Sequence, residues 1–148
     1  IGVGMALAAR YQSKNFNVFV IMGDGELQEG IVWEAVLSAY KYKLDRLVVF
    51  IDQNGWQSGS SCQEICGSVP ILSRFRTYGW HCQEIDGHNV AAILEAVKVA
   101  RSENALPSVI IAKTIKGKGI PFMENDNSWH KRVPSKEQYE EAMNILEA

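Results

Sequence analysis

"VFVIMGDGELQEG", residues 18–30, sets an apolar run against a turn that carries three acids and three glycines. Residues 18–22 read as the core of a buried strand, because continuous bulky apolar residues suit a sheet covered on both faces. Gly23-Asp24-Gly25 then breaks the run, Glu26 and Glu29 follow, and a helical pattern begins. The two glycines remove side chains where backbone turns sharply or approaches a ligand closely. N–H groups exposed there, beside a helix start, favour an anion such as phosphate. Yet Asp24 is itself an anion, and a carboxylate next to a phosphate repels it. A divalent cation between the two removes the conflict, since magnesium takes one or two carboxylates together with phosphate oxygens and water.

The rest of the chain alternates helix and strand patterns. Small and apolar residues at helical spacing predict a helix over 1–12, and "NVFVIM" (17–22) is a strand. "GIVWEAVLSAYKYK" (30–43) carries Ile31, Val32, Ala35, Val36, Ala39 and Tyr40 on one helical face. A second strand is expected over 46–52, a polar loop over 53–68, and a short helix over 71–79 stopped by Gly79. Strands at 80–85 and 108–115 flank an amphipathic helix over 90–102, with His88 or Asn89 at its N-cap. A long loop over 116–134 precedes a last helix opened by Ser135, with Gln138 completing a capping box. Such alternation predicts an α/β fold, a parallel sheet with helices on both faces, as one domain over 1–148.

Bulk properties narrow the function classes. With 47% hydrophobic and 22% charged residues over 148 positions, the chain can bury an ordinary globular core. A net charge of −2 gives no support to a nucleic-acid or membrane-surface partner, and no apolar run approaches a membrane span. The chain opens "IGVGMALAARY", without Met and already inside a helical pattern, so it is expected to be a fragment lacking the upstream part of its domain. Cys62, Cys66 and Cys82 are an odd number, which fits a reducing, cytoplasmic setting. The Cys62–Cys66 spacing is wrong for a zinc knuckle, and His81 beside Cys82 does not repair it.

In parallel sheets ligands collect beyond the carboxyl ends of the strands. Three polar, glycine-bearing segments fall there: 23–30, 52–61 and 114–134. Asn54, thirty positions after Asp24, sits at the equivalent place beyond the next strand and offers a neutral amide oxygen. The irregular backbone after it offers a carbonyl. Taken alone, Gly23-Asp24-Gly25 also reads as a simple turn and Asn54 as a local Asx turn. Taken alone, Glu26 reads as a solvated loop acid, His81 and His88 as structural, and Lys113, Lys116 and Lys118 as a solvated surface. Trp33, Tyr40 and Tyr42 read as core or interface residues of the 30–43 helix.

"GDGELQEG" followed by "IDQNGW" resembles the thiamine-diphosphate motif, and "GDGELQEGIVWEA", "YGWHCQEIDGHN" and "IIAKTIKGKGIPFMEN…WH" narrow the likeness to the transketolase family. The tail resembles the short N-terminal subunits of split transketolases. The resemblance implies the thiamine-diphosphate-binding fold, with Asp24, the Asn54 side chain and the Trp56 carbonyl as ligands of Mg²⁺ or Ca²⁺. Gly23, Gly25 and Glu26 fall in the implied cofactor-binding loop, with the Gly25 N–H on the diphosphate. His130 matches a histidine near the diphosphate and the sugar, and Glu29 a glutamate at the interface that couples paired active sites. The implied reaction moves a two-carbon ketol unit between sugars or sugar phosphates. The glutamate that activates the cofactor is implied to come from a pyrimidine-binding section, in a homodimer or heterotetramer, so this chain alone is expected to be inactive.

Two features depart from that family pattern. An aliphatic residue and an Asp-Gly pair are expected around 58–60, where this chain reads Ser58-Gly59-Ser60, and Lys131 replaces a frequent glycine. Alternatives that keep the cofactor are a deoxyxylulose-phosphate synthase, part of a 2-oxo-acid dehydrogenase, or a non-catalytic cofactor-binding subunit. A nicotinamide-binding fold is disfavoured because no GxGxxG follows a strand.

Overall fold

Four parallel strands, in the order β1-β2-β4-β3, form the sheet of the computed structural model, which describes residues 1–67 and 70–147. They are β1 (Val18–Gly23), β2 (Leu47–Gln53), β3 (His81–Asp86) and β4 (Ser108–Lys113). The helices are α1 (Gly2–Tyr11), α2 (Gly30–Lys41), α3 (Cys62–Cys66), α4 (Ile71–Thr77), α5 (Val90–Ser102) and α6 (Lys136–Glu147), with 3₁₀ turns over Asp24–Gln28 and Asn127–His130. The α/β alternation expected from the sequence is the architecture observed. Ser68 and Ala148, the ends of the expected loop and of the expected domain, lie outside the described residues.

Side chains on successive strand residues point to opposite faces, so β2 feeds two cores. Val49 and Ile51 join Val18, Val109 and Ile111 beneath Val36, Ala39, Phe75 and Trp80. Val48 joins Ile110, Ala96 and Ala100 of α5 on the other face, with Phe50 and Ile85 against them. This double burial is why β2 and β4 read as continuous apolar runs. At β1 the second face is open, with Phe19 and Ile21, partners of Val48 and Phe50 in register, 47% and 78% exposed.

Aromatic contacts lock α2 and α4 together. The Trp33 ring lies 5.4 Å from Phe75 and 5.7 Å from Tyr78, with the Arg74 guanidinium 3.6 Å above it. Trp80 donates its ring N–H to the Val36 carbonyl at 3.1 Å. Trp33 is therefore a core residue, while Tyr40 and Tyr42 stay 46% and 42% exposed. Gly79, at φ 78°, turns the chain into β3 where a Cβ would sit 2.3 Å from the Tyr40 ring.

The register places the strand ends level. Gly23 pairs with Asp52, and Asp52 pairs with Ala112. Asp24, Asn54 and Thr114 therefore emerge side by side at the carboxyl edge. The expected loop over 53–68 contains a hairpin and α3 instead. Gln57 N–H donates to the Ser60 carbonyl at 3.0 Å, and Ser61 Oγ caps α3 by accepting the Glu64 N–H at 3.2 Å. The Ser61-x-x-Glu64 spacing carried that helix start. The capping box at Ser135 and Gln138 forms as expected, and Asn89 rather than His88 caps α5.

Phe75 is fully buried between α2 and the sheet. Phe75→Ala is expected to cost about 3–5 kcal/mol, read as a fall in the midpoint of denaturant unfolding.

Candidate functional site

The turn after β1 is shaped from within. Glu26 bends back so that its carboxylate accepts the Gly23 N–H at 2.7 Å, and Trp33 holds the other end by donating to the Leu27 carbonyl at 2.7 Å. Asp24, 8% exposed, faces inward between these anchors. Its Oδ2 accepts the Gly55 N–H at 2.8 Å and its Oδ1 accepts the Cys62 S–H at 3.4 Å. The GDG turn and the segment after β2 are thus joined through one carboxylate.

Asn54 forms the Asx turn read from its sequence, Oδ1 accepting the Trp56 N–H at 2.9 Å. Its Nδ2 donates to Asp52 Oδ2 at 3.3 Å, and Asp52 Oδ1 accepts the Thr114 hydroxyl. Reversing the amide would set oxygen against carboxylate and NH₂ against N–H, so the orientation is unambiguous. An amide oxygen has two lone pairs, and the turn uses one of them.

Gln57 packs over Gly25, where a Cβ would fall 2.9 Å from the Gln57 Cβ. Its carbonyl accepts Asn127 Nδ2 at 2.9 Å, which ties the hairpin to the second 3₁₀ turn. Gln57 Nε2 and Asn127 Oδ1 are buried beside this contact without a partner among the described residues. A buried donor or acceptor left unpaired costs about 1–3 kcal/mol, so this corner favours a polar partner, whether water or a ligand.

His130 ends the Asn127–His130 turn, capped by Asp126, whose carboxylate accepts the Ser128 N–H and hydroxyl at 2.8 Å each. Those bonds hold the Asp126 carboxyl below its ordinary range. Lys116 Nζ lies 3.4 Å from His130 Nδ1, and Ser58 Oγ lies 3.1 Å from Nε2. An ammonium only donates, so in this contact Nδ1 is the acceptor, and Nε2 faces Ser58. Lys113 and Lys118 pair with Glu84 and Glu124 at 2.7 and 3.4 Å. His88 accepts the Ile115 N–H at 2.8 Å and His81 bonds Ser108 at 3.3 Å, both within the framework of the fold.

Asp24, Gly25, Asn54 and Trp56 thus meet at one edge, and Ser58 links His130 to the same hairpin. Glu29 stands apart from them, exposed at the N-cap of α2. Asp52, Gln57, Cys62, Thr114 and Asn127 escaped the sequence reading. Asp52 had a signal, two residues before Asn54; Cys62, 38 positions from Asp24, had none. A hollow of about 540 Å³ opens at the strand ends between Asp52, Asn54, Thr114 and Lys116. Among the described residues no three His, Cys, Asp or Glu side chains cluster around a metal-sized position, and no helix is long and apolar enough to cross a membrane.

Residues 2–144 match the family model for the transketolase thiamine diphosphate binding domain. One of the subunits of the apulose-4-phosphate transketolase of Phocaeicola vulgatus is 38% identical over 143 residues, covering 97% of this chain and 51% of that one. The 6-deoxy-6-sulfo-D-fructose transketolase subunit SqwG of Clostridium sp. is 40% identical, covering 98% and 53%. A transketolase crystal structure from Campylobacter jejuni superposes with a TM-score of 0.90 at 28% identity, over 97% of this chain and 23% of that one. The chain thus spans about half the length of these two curated relatives.

Burial, reinforced by the Asp24 charge, pushes the Cys62 thiol up to about 11, and burial alone pushes Cys82 to about 11, while Cys66 is exposed. A raised thiol pKa leaves less thiolate at any given pH. At neutral pH a thiol reagent is expected to label Cys66 first, with Cys62 and Cys82 lagging by more than about tenfold, read by mass spectrometry of the labelled peptides.

Proposed function

The chain belongs to the transketolase family, within its thiamine-diphosphate-binding domain, and from that premise we propose that it forms the diphosphate- and metal-binding part of a ketol-transferring enzyme. The proposed reaction moves a two-carbon unit from a ketose or ketose phosphate to an aldose or aldose phosphate. The observation that carries this reading is the 2.8 Å bond from the Gly55 N–H to Asp24. It draws a buried carboxylate and the Asn54–Trp56 turn to one edge, with Gly25 alongside.

The donor chemistry suits a hard cation. A buried carboxylate that holds two hydrogen bonds among the described residues gains from a positive partner, and the second lone pair of Asn54 Oδ1 adds a neutral oxygen. With the Trp56 carbonyl, these are oxygen ligands of the kind Mg²⁺ or Ca²⁺ takes. In this reading Asp24, Asn54 and Trp56 hold the metal. Gly23 and Gly25 let the backbone close on the diphosphate, and Glu26 shapes that turn through its bond to Gly23. When bound, thiamine diphosphate supplies the nucleophilic carbon that carries the two-carbon unit. His130 is assigned to the diphosphate and the sugar, where its ring can donate or accept a proton at a substrate oxygen. Glu29, exposed at the start of α2, is assigned to a subunit interface.

The remaining catalytic groups are proposed to lie in a pyrimidine-binding section, in cis or in trans, within a homodimer or heterotetramer. The chain's coverage of about half of two relatives named as subunits supports this. Three free cysteines support a reducing, cytoplasmic compartment.

Calorimetry of thiamine diphosphate with Mg²⁺ on the assembled enzyme tests the site: Asp24→Ala is expected to weaken binding at least about 100-fold, and unchanged binding overturns the assignment. A donor screen tests the reaction. Ketose phosphates are expected to react, whereas turnover of pyruvate alone would indicate a decarboxylating enzyme. This chain by itself is expected to give no turnover in that screen, with activity appearing on addition of the pyrimidine-binding section.

A further inference from the structure

We propose that Cys62 is a positioning residue for Asp24, its S–H anchoring the second carboxylate oxygen so that the group meets the cation in one fixed orientation. The inference rests on the metal-site reading above and adds to it a residue that reading does not use.

An aspartate side chain rotates freely about its last torsion, because a bond between sp³ and sp² carbons has only broad preferences. One hydrogen bond, from the Gly55 N–H to Oδ2, leaves that rotation partly open. The Cys62 S–H reaches the opposite oxygen, Oδ1, at 3.4 Å, an ordinary length for a sulfur donor, and closes it. The two anchors form one unit: Gly55, whose N–H holds Oδ2, accepts the Cys62 N–H on its own carbonyl at 2.8 Å. The Trp56–Ser61 bridge and the Ser61 cap of α3 fix the same hairpin. Asp24 is thus gripped from both oxygens by the two ends of one hairpin, which also carries Trp56. The residue type matters as well. A thiol is a weaker donor than a hydroxyl, so it orients Oδ1 while withdrawing little of the charge that a cation needs. Partners that orient a metal's ligands typically change affinity about 10–100-fold when removed.

The test is a Mg²⁺ titration of the full-length protein in its native assembly, at saturating thiamine diphosphate. Cys62→Ala is expected to bind Mg²⁺ about tenfold more weakly, while Cys62→Ser, which keeps a donor, stays within about threefold of wild type. Unchanged or tighter binding in Cys62→Ala overturns the proposal, and so does a serine variant as weak as alanine. Asp24→Asn in the same titration separates the two readings. If it too binds normally, the metal site itself is misassigned; if it alone is weak, only the role of Cys62 fails. Infrared difference spectra of wild type against Cys62→Ser provide a readout independent of metal. The Cys62 S–H stretch is expected to shift to higher frequency in Asp24→Asn, where the acceptor loses its charge, and an unmoved band overturns the contact. Should Cys62→Ala fail to fold, the serine variant and the infrared band decide.

Discussion

A single buried carboxylate governs the carboxyl edge of this sheet. Asp24 sits where the backbone leaves β1, shielded from water, and its charge must be met by the protein around it. The response is local: the hairpin after β2 folds over and offers an N–H and an S–H, one to each oxygen. Satisfying Asp24 therefore brings the second strand-end segment against the first. Trp56 and Gln57 arrive with it, and through Gln57 the distant Asn127 turn is drawn in.

That arrangement depends on the sheet beneath it. Parallel register sets Gly23, Asp52 and Ala112 in one row, so residues one or two steps further on emerge together. Asp52 then acts across the row, accepting from Asn54 on its own segment and from Thr114 on the neighbouring one. Two carboxylates thus serve different purposes a short way apart. Asp52 has both oxygens engaged by side-chain donors and fixes the Asn54 amide, while Asp24 is held by one backbone N–H and one thiol. One apolar core lies beneath β1, β2 and β4, and a second covers the other face of β2 and β4, so the row rests on packed strands, the kind of support that a site built from loop residues requires.

Much of the fold could be read from the chain because apolar periodicity and turn residues carry it. β1, β2, β4 and α5 appear almost at their observed bounds, since each is long and strongly patterned. The hairpin and α3 did not, because Ser, Gly and Gln between 57 and 63 satisfy a loop as well as a structured turn. Of the site, Asp24 and Asn54 stood out by their place at strand ends. Asp52 looked like the last residue of a strand, and Cys62 like a small thiol without a task.

The sequence by itself determined the alternation of helix and strand, the glycine-flanked acid after β1, and the family to which the chain belongs. These are local properties: a run of apolar residues, or a turn residue, has the same meaning wherever the chain later goes. The tertiary structure decided which groups touch. It chose Gly55 and Cys62 as the partners of Asp24, turned the Asn54 amide toward Asp52, and set His130 between Lys116 and Ser58. Such contacts join residues from 2 to 72 positions apart. They follow from strand register and hairpin geometry, which arise only when the whole sheet is assembled.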